Sequence, residues 1–266
     1  MRRTVLDLSY LWARSAVDLA ADLGDAEVLI TSELIYELAT ASKKKLARVG
    51  GLAGLLDKLA GLALAGSHAL LRLLNIERGH EEPTKDVVDN VATEDLNRFV
   101  GEGAGFEVIE QVDEAIRRFF EEDEPRKLRN GLERMWEPRH DEAFKEARGA
   151  VGQGTSVEQV YVDIFGRLPE EDVGREIANT LGMKTPPTSE WMLFRYERLR
   201  NFIAFRYRLA GTQPDQLADK TIANDLLDAH YVCFLQHADG IATADKKLVE
   251  PAARAFFEGK QIISRP

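Results

Sequence analysis

Six carboxylates occupy positions where a side chain can do chemistry. Asp7 closes a short β-leaning run at residues 4–8, and Glu33 and Glu37 lie on a helical pattern just after a second run at 26–30. Asp225 and Asp228 stand three apart on a helical segment and so share a face, and Asp245 follows the run 240–243. Carboxylates without thiolate or imidazole are the donor set of a hard divalent cation such as Mg2+ or Mn2+, with positions left for water and phosphate. Ions held in this way activate a water and offset charge on the leaving oxygen of a phosphodiester. The acids come from distant parts of the chain, so the fold has to bring them together.

The elements that would do so lie at the two ends of the sequence. A helix is predicted over 11–23, broken by Gly24-Asp25, and Thr31-Ser32 offers an N-cap for the helix that carries Glu33 and Glu37. From 46 to 210 the pattern is helical: a Leu/Ala/Gly-rich stretch at 46–74 reads as one long helix or a tight helical pair. Helices are predicted at 84–100, 106–120, 126–148, 156–165 and 191–209. Residues 219–236 read as a helix, 240–243 as a strand, 246–257 as a helix and 261–264 as a last strand. Strand and helix alternating at both ends predict an α/β fold with a mostly parallel sheet, which places ligands beyond the carboxyl ends of its strands.

The runs Val5-Leu6-Asp7-Leu8-Ser9, Ile30-Thr31-Ser32-Glu33-Leu34-Ile35-Tyr36-Glu37-Leu38, Asn224-Asp225-Leu226-Leu227-Asp228-Ala229 and Asp239-Gly240-Ile241-Ala242-Thr243-Ala244-Asp245 resemble, in this order, the motifs of PIN-domain nucleases. The resemblance covers roughly residues 1–45 and 215–266. It implies a three-layer α/β/α core formed by residues 1–45 and 211–266, with 46–210 as an all-helical insertion that compact VapC-type members lack. It places the catalytic acids on Asp7, Glu37, Asp228 and Asp245. Asp7, Asp228 and Asp245 would hold one or two Mg2+ or Mn2+ ions with help from Asp225, and Thr243 would orient a ligand. It further implies endonucleolytic cleavage of RNA, single-stranded in the favoured form, and is compatible with an inhibitor protein such as an antitoxin and with a homodimer.

Each of these residues also has a plain structural reading. Asp7 can cap the first helix, Asp225 the start of its own, Glu33 its first helical turn, and Glu37 can face solvent. On the helix 191–209, Arg195, Arg198, Phe202, Phe205 and Arg206 share a flank, an arrangement suited to phosphates and stacked bases of a single strand. The same flank reads also, and in preference, as a solvated helix side with Phe202 and Phe205 buried against the insertion. Lys43, Lys44 and Lys45 would add phosphate contacts or form a surface charge run. The competing function is a non-catalytic protein-binding module, an α/β core with a helical arm.

Composition fits a globular chain: 266 residues, 44% hydrophobic and 30% charged, with a net charge of −10. From Glu77 to Arg148 the chain carries 21 acids and 12 bases, which reads as a solvated helical face. A single cysteine, Cys233 among apolar neighbours, excludes a disulfide framework and reads as a buried thiol. The start of the chain resembles no secretory signal and the 46–76 stretch is interrupted by charges, so no membrane partner and a cytoplasmic location are expected. Ser9, where a haloacid-dehalogenase phosphatase needs its second Asp, excludes that chemistry, and Gly152-Gln153-Gly154-Thr155 lacks the lysine of a P-loop.

Overall fold

The computed structural model describes residues 2–40, 51–102, 118, 122–165 and 168–264. In chain order it runs β1 (Arg3–Leu6), α1 (Leu8–Ala13), α2 (Ala16–Leu23), β2 (Glu27–Ile30), α3 (Ser32–Thr40), α4 (Gly51–Leu59), β3 (Ala63–Gly66), α5 (Leu70–His80) and α6 (Asn90–Glu102). There follow α7 (Glu124–Met135), α8 (Asp141–Gly152), α9 (Val157–Phe165), α10 (Glu170–Leu181), α11 (Met192–Leu209) and α12 (Asp219–Cys233). The chain ends in β4 (Gly240–Ala242), α13 (Val249–Phe256) and β5 (Gln261–Ile263). Two compact units result: Met1–Leu73, Thr84–Asp113 and Tyr231–Pro266 form the first, Leu74–Pro83 and Glu114–His230 the second.

The first unit is built on a five-stranded sheet in the order β3-β2-β1-β4-β5, with every ladder parallel. Its strands read as apolar runs because both faces are covered: Val5, Leu6, Val28, Leu29 and Ile241 are fully buried. β1 lies between β2 and β4, so the chain winds outward from β1 in one direction through β2 and β3, then returns beside it as β4. That reversal is the topological switch point, where the carboxyl ends of two neighbouring strands open a crevice. The ladder continues one residue past each strand end: the Asp7 amide donates to Ala242 O (3.0 Å) and the Thr243 amide to Ile263 O (3.1 Å).

Several expectations give way here. The 11–23 helix is two, because Ser15 Oγ accepts from the Asp18 amide and starts α2 afresh. The stretch 46–74 holds a strand, so the segment 46–210 is not all-helical: Ala63-Leu64-Ala65-Gly66 pairs with β2 in the sheet. Small residues carry no clear period, and tertiary packing selects the strand, with α6 pressed so closely on β3 that a Cβ on Gly66 would lie 2.8 Å from the Ala92 carbonyl carbon. The 126–148 helix is divided by Pro138 into α7, a 3-10 turn and α8. α10 is an additional helix, and the 106–120 helix lies outside the described residues except for Arg118.

The second unit is helical, with α11 packed along α7. Its acid-rich residues are not all solvated: Glu77 and Glu124 are fully buried. Glu77 accepts from the Met192 and Leu193 amides (3.1 and 2.7 Å), satisfying donors at the start of α11 where Trp191 supplies no side-chain cap.

The helix carrying Glu33 and Glu37 is set by Thr31, whose buried Oγ1 accepts from the Leu34 amide (3.1 Å). Thr31, rather than Ser32, is therefore the cap; Ser32 Oγ donates to Ser67 O (3.1 Å). Thr31→Val keeps the shape and removes the acceptor. It is expected to lower unfolding free energy by about 1 kcal/mol, measured by denaturant titration.

Candidate active site

At the switch point, Asp7 follows β1 and Thr243 to Asp245 follow β4. Asp7 is 2% exposed, and its Oδ1 accepts from the Ser9 amide (3.1 Å), capping α1. Its Oδ2 accepts from two hydroxyls, Ser9 Oγ and Thr243 Oγ1, both at 2.5 Å. Those hydroxyls are polarised in turn: Ser9 Oγ accepts from the Ala244 amide (2.9 Å) and Thr243 Oγ1 from the Asp245 amide (3.0 Å). Each hydroxyl has one proton, and with its oxygen engaged by an amide that proton is directed at Asp7.

Burial pushes the Asp7 carboxyl above its ordinary value of 3.8. The Ser9 and Thr243 hydrogen bonds offset only part of that rise, and the nearby charge of Asp245 adds to it. Asp245 Oδ1 accepts from the Lys247 and Leu248 amides (2.8 and 2.6 Å) ahead of α13, while its Oδ2 has no hydrogen-bond partner among the described residues. Asp7 thus meets both descriptions that the sequence allows it, helix cap and strand-end acid.

The helix after β2 brings two further acids to Tyr231. The fully buried Tyr231 hydroxyl donates to Glu37 Oε2. Burial first, then the charges of Glu37, Asp7 and Glu33, raise its pKa well above the ordinary 10.0. One hydroxyl is therefore within electrostatic reach of three carboxylates. Glu33 is buried and its Oε1 accepts from the Leu70 amide (3.0 Å), so it caps α5 and not its own helix.

Asp225 and Asp228 belong to the second unit. There Tyr207 Oη donates to Asp225 Oδ2 at 2.7 Å, and burial followed by the charges of Asp225 and Asp228 pushes the Tyr207 phenol up. Asp225 lies in the interior of α12 and does not cap its start. Phe202 and Phe205 are buried among Phe144, Tyr161 and Phe165, so neither ring is available to stack a base. Of the arginines on that flank, Arg195 Nε donates to Ser189 O (2.9 Å) and Arg206 lies 5.8 Å from the Phe202 ring centre. Arg198 lies 6.0 Å from the Phe194 ring centre. Lys43, Lys44 and Lys45 lie outside the described residues. Cys233 is a buried free thiol.

Two participants, Ser9 and Tyr231, have no role in the sequence reading. Ser9 stands two residues after a strand-end acid, a spacing that signals a side-chain cap; its second role, towards β4, depends on strand order. Tyr231 stands three residues after Asp228, on the same helical face by spacing.

The donors at the crevice are of the hard-oxygen kind that suits Mg2+ or Mn2+: the Asp7 carboxyl, which has no cation paired with it among the described residues, and Asp245 Oδ2. Among the described residues no group of three or more His, Cys, Asp or Glu side chains is gathered closely enough to hold an ion. No helix among them is long and apolar enough to cross a membrane. Compared with protein-family profiles, curated protein sequences and solved structures, the chain matches none.

Because Asp7 binds its proton more tightly folded than unfolded, its protonation stabilises the fold below the ordinary 3.8, and this contribution is lost as pH rises through the raised folded value. Asn has no such titration. The melting temperature of Asp7→Asn relative to wild type, measured in EDTA, is therefore expected to rise as pH increases from the ordinary 3.8 through the raised folded value. A difference that stays flat or falls contradicts the burial cost assigned to Asp7.

Proposed function

We propose that the crevice between β1 and β4 is the active site of a metal-dependent phosphodiesterase that cleaves RNA. The observation that carries the reading is the buried Asp7 carboxyl at the switch point, held by the hydroxyls of Ser9 and Thr243 and within electrostatic reach of Asp245. RNA as substrate, and Asp228 as a further ligand, rest on the sequence resemblance to PIN-domain nucleases. So does the idea of an inhibitor protein.

Asp7 and Asp245 would hold the ion through Oδ atoms. A divalent ion there supplies Lewis acidity, which acidifies water and offsets negative charge at the phosphodiester. Thr243 and Ser9 fix the orientation of the Asp7 carboxyl through the hydrogen bonds they donate to its Oδ2. Glu37 acts as the base that takes the proton of the attacking water, and the Tyr231 hydrogen bond fixes the orientation of its carboxylate.

One observation favours a second reading, a binding protein with an α/β core: Asp7 caps α1 and Asp245 accepts backbone amides ahead of α13, structural uses that need no ion. Cleavage of a labelled single-stranded RNA with Mn2+, Mg2+ or EDTA separates the two. Metal-dependent cutting is expected from wild type, with a loss of at least about 10²-fold in Asp7→Asn, Asp245→Asn and Glu37→Gln. Cutting that persists in EDTA or in the Asp7 variant contradicts the proposed site. Absence of cutting together with absence of Mn2+ binding favours the binding protein.

Tyr231→Phe removes the hydrogen bond while keeping the ring. It is expected to lower the rate by about 10-fold with little change in Mn2+ affinity, read from single-turnover cleavage across a metal titration.

A further inference from the structure

The second unit contains a cavity of about 320 Å3 walled by α7, α8, α9, α10 and α11, a volume suited to a small organic ligand. Its floor is aromatic. Tyr161 stacks on Phe165 with ring centres 4.7 Å apart and meets Phe205 edge-on at 5.4 Å, and its hydroxyl donates to Arg198 O (3.0 Å), which locks the ring in place. Phe144 completes the floor, and an apolar cavity of about 220 Å3 shares the Phe144 and Phe165 walls.

The rim is cationic. Arg134 and Arg139 are exposed at the mouth. Arg139 pairs with Glu137 (2.9 Å) in a solvent-exposed ion pair of the kind that exchanges partners readily. Arg134 Nε reaches the Asn130 carbonyl (3.3 Å). Two other cations near the cavity are already neutralised, Arg200 by Glu197 and Lys127 by the buried Glu124. Glu176 stands at the rim as an opposing charge.

Gly131 lines the same cavity from within α7. Its φ is not positive, and a Cβ built there meets nothing within 4 Å, so neither backbone conformation nor packing requires glycine. Glycine inside a helix is destabilising relative to alanine. Here its effect is to keep the wall clear beside the aromatic floor.

We propose that this cavity binds a flat organic anion of about nucleotide size, its ring against Phe165 and its acidic group on Arg134 and Arg139. The inference is independent of the proposed nuclease site, because all the residues it uses lie in the second unit.

The test is isothermal titration of the full chain with 2-naphthyl phosphate, with 2-naphthol and inorganic phosphate as separate arms. Naphthyl phosphate is expected to bind at least about tenfold more tightly than either fragment, and more tightly at low salt. Arg134→Ala/Arg139→Ala is expected to weaken it about tenfold or more, and Glu176→Gln to tighten it. Gly131→Trp fills the cavity and is expected to abolish binding with helicity and melting temperature retained. No binding of naphthyl phosphate at about 1 mM overturns the proposal, as does affinity unchanged in the arginine and Gly131 variants. Equal affinity for 2-naphthol overturns the anion assignment. Should Gly131→Trp fail to fold, the arginine and Glu176 variants, which alter exposed side chains, decide the matter.

Discussion

The two hydroxyl protons aimed at one buried carboxylate organise the first unit. Ser9 and Thr243 stand on opposite sides of the β1–β4 ladder, and each passes the pull of a backbone amide on to Asp7. Together with the Asp7 amide on Ala242 and the Thr243 amide on Ile263, they tie the ends of β1, β4 and β5 where the chain turns away from the sheet. A strand pair joined only by short ladders would fray at this edge; here the edge is cross-linked through a carboxylate. The hydrogen bonds offset only part of the burial cost of this carboxyl, and that combination of restraint and cost is typical of positions selected for chemistry rather than stability.

The same edge gathers charge of one sign. Asp245 raises the Asp7 carboxyl further, and Glu37, Asp7 and Glu33 together raise the Tyr231 phenol. Part of this charge has structural uses. Asp7, Glu33 and Asp245 each satisfy backbone donors near a helix start, which is where an anion is best accommodated by the unpaired amides. Capping and ligation are compatible in one carboxylate because it has two oxygens. In Asp245 the backbone amides are taken by Oδ1, which leaves Oδ2 for the proposed ion.

What was legible in the sequence follows from how each element is stabilised. β1, β2, β4 and β5, and the acids at their ends, were visible because a parallel strand buried on both faces must be apolar and a polar residue marks its end. β3 was not, since Ala-Leu-Ala-Gly is as compatible with helix as with strand until α6 closes on Gly66. The break between α1 and α2 turns on Ser15 alone, and Pro138 divides a pattern whose hydrophobic period runs through it. The arginine flank of α11 suggested stacking rings; Phe202 and Phe205 face the aromatic core of the second unit instead, a choice made by Phe144, Tyr161 and Phe165 on other helices. Glu77 and Glu124 looked like surface charge because their partners, the start of α11 and the pair Tyr196 and Arg200, are remote in sequence. The hydroxyl roles of Ser9 and Tyr231 depend likewise on contacts across elements.

As proposed above, the carboxyl ends of β1 and β4 would hold a divalent cation through Asp7 and Asp245. Calorimetric titration of the metal-free chain with Mn2+, for wild type beside Asp7→Asn and Asp245→Asn, addresses it most directly. Saturable binding in wild type, weakened at least about tenfold in each variant, is the predicted result. Equal Mn2+ affinity in all three proteins would contradict it and place any bound ion elsewhere.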